Sequence, residues 1–88
     1  MIRVRVRFVG RVQGVGFRAT CRELARGRAV TGWVRNETDG SVLMEAQGDA
    51  TAVEGLLTAI HERMRRQIEH ADRGSVNATT GETSFVIA

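Results

Sequence analysis

Gly10, Gly14 and Gly16 fall within seven residues of one another, and Arg18 follows closely behind them. Glycine lets the backbone take positive φ, so that several N–H groups in succession can point at one spot. A helix that starts just after such a turn adds its own free N–H groups and the positive end of its dipole. Together these make a cradle for an anion, most simply a phosphate. On this reading Gln13, Gly14, Val15, Gly16 and Phe17 contribute mainly main-chain amides. The Arg18 guanidinium adds two parallel charge-assisted bonds to the same phosphoryl group. A plain strand-to-helix turn would use the same glycines and bind nothing, and short glycine patterns do not separate the two. Asn36 is a second candidate. It is either an ordinary hairpin-entry asparagine or an amide that orients a water beside the cradle.

The surrounding pattern supplies elements to hold these groups. Ile2, Val4, Val6 and Phe8 alternate with Arg3, Arg5 and Arg7. That is a strand with one buried face and one solvated arginine face, which suits an antiparallel or mixed sheet covered on one side. Phe17, Cys21, Leu24 and Ala25 share one face of a helix running to about Arg26, with Gly27 as its stop. Residues 29–36 read as a strand, 37–40 as an Asp-Gly hairpin loop and 41–47 as the returning strand. Asp49, or Thr51 with Glu54, would cap a second helix with Val53, Leu56, Leu57, Ile60 and Met64 on its inner face. Beyond Met64 the pattern fades. A strand is expected over 72–78, a turn at 79–82 and a short strand over 84–88. The order β-α-β-β-α-β is that of an α+β, ferredoxin-like (split βαβ) two-layer sandwich, an antiparallel sheet with two helices on one face.

Composition narrows the chemistry. The chain has 88 residues, which is one domain, 1–88. All 13 basic residues are arginine, so a Walker-type lysine loop and lysine Schiff-base chemistry are excluded. The net charge of +3 favours anionic partners. The single Cys21 forms no internal disulfide and sits on an apolar helix face, pointing to a core role and a reducing, cytoplasmic setting. No stretch has the length and apolarity of a membrane span or an export signal. His61 and His70 lie away from the cradle and read as surface residues. No Ser-His-Asp set and no metal cluster is visible, so neither a metal nor a cofactor is expected. Gly14, Gly16 and Ala19 formally match the dinucleotide fingerprint, with Glu37 as its acid. The chain is too short for a doubly wound sheet, and the arginine-studded first strand is not a buried parallel one.

Two longer patterns carry a resemblance. The run Gly10-Arg11-Val12-Gln13-Gly14-Val15-Gly16-Phe17-Arg18 resembles the first signature of the acylphosphatases. The run Gly32-Trp33-Val34-Arg35-Asn36, with Gly40, Val42 and Gly48 following in register, resembles the second. The resemblance covers roughly residues 4–57 and the final Phe85-Val86-Ile87. It implies a ferredoxin-like fold and hydrolysis of the carboxyl–phosphate bond of acyl phosphates to carboxylate and phosphate. It also implies that Arg18 binds the phosphoryl group and Asn36 positions the attacking water. The expected partner is a small acyl phosphate, with inorganic phosphate or sulfate expected to occupy the loop; neither nucleic acid nor a membrane is expected. Arg28 and Ala29 stand where family members often carry Leu-Gly, and the usual Gly-Pro turn after helix two is missing, so the path from Met64 to Gly74 stays open.

Two other readings accompany this one. An acylphosphatase-like domain of a hydrogenase-maturation carbamoyltransferase would share the motifs, although the chain ends at Ala88. A nucleic-acid-binding ferredoxin-like module would use the Arg3, Arg5 and Arg7 face, but it would want base-stacking aromatics. Three Phe, one Trp and no Tyr offer few, Trp33 alone being placed for the open face.

Overall fold

The computed structural model describes residues 1–88. Strand β1 (Ile2–Gly10) leads through the glycine loop to helix α1 (Phe17–Ala25). Strands β2 (Val30–Asn36) and β3 (Val42–Gly48) form a hairpin, helix α2 (Ala50–Arg63) follows, and strands β4 (Ile68–Ser75) and β5 (Phe85–Ile87) complete the chain. The sheet order is β4-β1-β3-β2-β5. Four strands pair antiparallel, as the split βαβ order requires. The fifth departs from the all-antiparallel expectation, because β5 lies parallel to β2 at the edge. Strand β4 also starts four residues earlier than the sequence pattern suggests, directly after the turn that closes α2.

Alternation in β1 sends Val4, Val6 and Phe8 into the layer between sheet and helices, where each is buried. The Phe8 and Phe17 rings tilt against each other at 5.0 Å, joining β1 to the first turn of α1. Cys21 and Ala25 of α1, and Val53, Leu56, Leu57 and Ile60 of α2, fill the same layer. Burial pushes the Cys21 thiol up to about 12. It therefore stays protonated and packs as a small hydrophobe. Asp49 precedes α2 but makes no side-chain cap bond. Glu54, the capping-box alternative, instead takes both Arg73 η nitrogens at 2.8 Å.

The second face of the sheet differs from the solvated arginine face expected above. Arg5 and Arg7 keep partial exposure, but Arg3 is only 3% exposed. Residues 76–84 cause this. They run from β4 at one edge to β5 at the other, across the sheet. Thr79 N–H donates to Gln47 Oε1 at 2.8 Å, and Gln47 Nε2 donates back to Thr79 O at 3.0 Å. Beneath this strap Arg3 donates to Glu45 at 2.6 Å and to both Glu82 oxygens at 2.8 and 3.1 Å. Arg5 adds a bond to the other Glu45 oxygen at 2.8 Å. A buried charge is tolerated when it is paired and hydrogen-bonded.

These bonds act on both carboxyls. The bond from Arg3 holds Glu82 below the ordinary 4.5. Burial alone would raise Glu45, but the bonds from Arg3 and Arg5 outweigh it and hold it low as well. The unfolded chain therefore binds these protons more readily than the folded one. The stability the two carboxyls add is present above pH 4.5 and is lost as the pH falls through their lowered folded values. Urea unfolding followed from neutral to acid pH should show the midpoint dropping below pH 4.5. Arg3→Met should be less stable by about 3 kcal/mol at neutral pH and should show a shallower acid decline.

Candidate active site

The glycine loop and Asn36 meet at one end of the sheet, and the strand register explains why. Val42 on β3 stands opposite Phe8 of β1 on one side and opposite Asn36 of β2 on the other. The ends of β1 and β2 are therefore level, two strand spacings or about 10 Å apart. Both strands run toward this end, and β5 runs the same way beside β2, so Ile87 arrives there too. The chain leaves β1 at Gly10 and enters α1 at Phe17, spanning this end of the sheet as it does so.

Gly14 and Gly16 take φ of +74° and +77°, in the left-handed region that favours glycine. Gly16 is also the N-cap of α1. It supplies no side-chain acceptor, and no acidic residue follows in the first turn. The first helical main-chain bond is Thr20 N–H to Gly16 O at 3.0 Å. The amides ahead of Thr20 are the ones that lack an intrahelical partner, and no acidic side chain of the helix claims them. A small pocket of about 190 Å3 lies over this turn, lined by Val12, Gly14, Gly16, Phe17, Arg18 and Ile87. Val15 stands at the outside of the loop, 41% exposed.

Gln13 carries the connection. Its side-chain amide donates both hydrogens to main-chain carbonyls of the facing hairpin, Glu37 O at 2.8 Å and Ser41 O at 2.9 Å. Glu37 immediately follows Asn36, so the strut pins the loop against the end of β2. The hairpin is itself braced. Glu37 N–H donates to Ser41 O at 2.9 Å, and the Ser41 amide and hydroxyl both donate to Asp39 Oδ1. The Ser41 hydroxyl bond is the main reason the Asp39 carboxyl titrates below its usual range.

Arg18 is half-buried in the pocket wall and forms no ion pair, although Arg3, Arg5, Arg7, Arg35 and Arg73 each hold a carboxylate. Glu37, the residue after Asn36, is engaged by Arg35 at 2.9 Å. Asn36 is exposed at the end of β2. It does not line the small pocket and reaches it through its neighbour Glu37 and the Gln13 strut. His61 and His70 flank a different and larger hollow between α2 and β4. Val12 and Ile87 were missed as wall residues. Val12 lies in the loop between β1 and α1, and Ile87 enters only because β5 lies parallel to β2.

The acylphosphatase family model matches residues 4–87. An acylphosphatase of Salinibacter ruber is 59% identical over 63 residues, which are 72% of this chain and 66% of that protein. The aligned stretch thus spans about two thirds of that relative. The crystal structure of acylphosphatase from Bacillus subtilis superposes with a TM-score of 0.88 at 29% identity, covering 100% of this chain and 99% of that one. T. kodakarensis HypF is similar at TM-score 0.85 and 19% identity, over 12% of its chain, a likeness of fold alone. With a family model over nearly its whole length, the chain belongs to the acylphosphatase family.

Proposed function

We propose that this acylphosphatase, acting as one domain over residues 1–88, hydrolyses acyl phosphates with the loop Gln13–Phe17, Arg18 and Asn36. The phosphoryl oxygens accept bonds from the main-chain amides of the loop and of the first turn of α1. Arg18 brings its guanidinium fork to the same group and draws off charge as it builds on the oxygens. Asn36 orients a water for attack on phosphorus from the side away from the acyl group. The water oxygen forms the new P–O bond as the bond from phosphorus to the acyl oxygen breaks. The electron pair leaves with the carboxylate, and the water proton passes to phosphate. The departing carboxylic acid has a pKa of about 4, so no strong general acid is needed. Phosphoryl transfer rests on positioning and charge stabilisation, and a cradle, one cation and one amide supply both without a metal ion.

The observation that best supports this reading is the Gln13 strut, which fixes the glycine loop against the strand end that carries Asn36. The unpaired Arg18 beside the loop supplies the matching charge. A nucleic-acid role for Arg3, Arg5 and Arg7 loses support, because Arg3 is buried and all three hold carboxylates. No helix is long and apolar enough to cross a membrane, and a reducing cytoplasm suits the lone buried thiol. The test is phosphate release from benzoyl phosphate with a chelator present. Undiminished turnover is expected, with inorganic phosphate as a competitive product inhibitor. Absence of turnover would overturn the reading.

A further inference from the structure

Of the arginines that hold no carboxylate, three share one place. Arg22, Arg26 and Arg28 line an open hollow of about 370 Å3 where α1 ends and β2 begins. None of the three forms an ion pair. Thr83 and Ser84, just ahead of β5, add two exposed hydroxyls to the lining. The turn after α1 gathers these cations. Gly27 takes φ of +77°, and Arg28 N–H donates back to Ala25 O at 3.1 Å. The chain thus folds over the end of the helix, and Arg28 joins Arg22 and Arg26. Buried Ala25, Val30 and Phe85 form the floor.

No carboxylate lines the hollow. Glu23, the one acid of α1, lies outside the lining. Glu82, next to Thr83, is held beneath the strap by Arg3. The dipole of α1 favours cations at its C-terminal end, which accounts for Arg22 and Arg26. It does not account for Arg28, which lies past the helix and stands where family members often carry leucine. Like charges set side by side repel, and an anion between them relieves the repulsion. Guanidinium forks meet phosphate oxygens in pairs, and hydroxyls supply further donors. A single phosphate carries about 1.5 to 2 negative charges at pH 7, which leaves one of the three cations unmatched. Two joined phosphates match all three. The volume falls at the lower end of the range for small-molecule sites, roughly 300–1,000 Å3.

We infer that the hollow at the C-terminal end of α1 is a second anion site, separate from the cradle, which takes a small molecule bearing a diphosphate. Arg26 lies about 12 Å along the helix from Arg18, and the inference uses none of the cradle's residues. Calorimetric titration of the full chain with inorganic pyrophosphate tests it. The titration is made on Arg18→Ala, whose cradle lacks its cation. That variant should keep one pyrophosphate site, and orthophosphate should bind there at least about tenfold more weakly. Adding Arg22→Ala or Arg28→Ala in the same background should weaken pyrophosphate about tenfold. Adding Arg66→Ala, which removes an equally exposed and unpaired charge outside the hollow, should change nothing. Arg28→Ala alone should hydrolyse benzoyl phosphate at the wild-type rate, because Arg28 makes no ion pair and lies away from the cradle. Loss of all pyrophosphate binding in Arg18→Ala would overturn the inference. So would equal weakening by Arg66→Ala and Arg28→Ala, the mark of diffuse attraction to a basic chain, or equal affinity for pyrophosphate and orthophosphate.

Discussion

Arg18→Ala is expected to lower kcat/KM for benzoyl phosphate by about a thousandfold while the urea midpoint stays at the wild-type value. The side chain is half-buried and holds no partner in the chain, so its removal breaks no internal bond. What is lost is a cation aimed at the phosphoryl oxygens, whose charge is greatest in the transition state. Part of the loss should appear in KM, because the same bonds hold the ground-state phosphate, and the larger part in kcat. Arg18→Lys should recover little. An ammonium restores the charge but not the planar fork that matches two phosphoryl oxygens. Inorganic phosphate should raise the thermal midpoint of the wild type and not of Arg18→Ala, since a ligand stabilises only the state that binds it. Equal kcat/KM in wild type and Arg18→Ala would remove Arg18 from the chemistry.

The second large effect is expected at Asn36. Asn36→Ala should lower kcat about a hundredfold with KM within about twofold. The two residues thus separate by kinetic parameter, Arg18 acting on bound phosphate and Asn36 on the attacking water. Asn36 is exposed and its main chain carries the ladder with β3, so the fold should persist in the variant. Asn36→Asp keeps the shape but sets a carboxylate toward a phosphoryl anion, and it should be at least as slow. Full activity in Asn36→Ala would assign the water to another group and leave only the cradle.

Local pattern made the first strand, both helices and the β2–β3 hairpin readable before the structure, because each shows a clean period or a turn signal. Arg3 shows where such reading stops. Its alternation with Val4 gave the correct face but the wrong environment, since the cover comes from Thr79 and Glu82, far along the chain. Strand β4 was misplaced for a related reason. Arg65 and Arg66 could equally extend the helix, and Ile68 is the one large apolar residue in the strand. The parallel placement of β5 had no local signal at all. In the loop, Gly14 and Gly16 were legible because positive φ constrains residue type. The role of the Gln13 side chain was not, because its partners are main-chain carbonyls, which any sequence supplies. The meeting of Gly10–Phe17 with Asn36 depends on the register of β3 between β1 and β2, and Val42 makes that visible only once both pairings are known.

The central claim is that water attacks phosphorus in the cradle, rather than the acyl carbon outside it. Single-turnover hydrolysis of benzoyl phosphate in heavy-oxygen water, with both products analysed by mass spectrometry, tests it most directly. Attack at phosphorus places the label in inorganic phosphate and leaves benzoate unlabelled, which is the expected result. Label in benzoate would mean attack at the acyl carbon, and would contradict the roles given to the loop, Arg18 and Asn36.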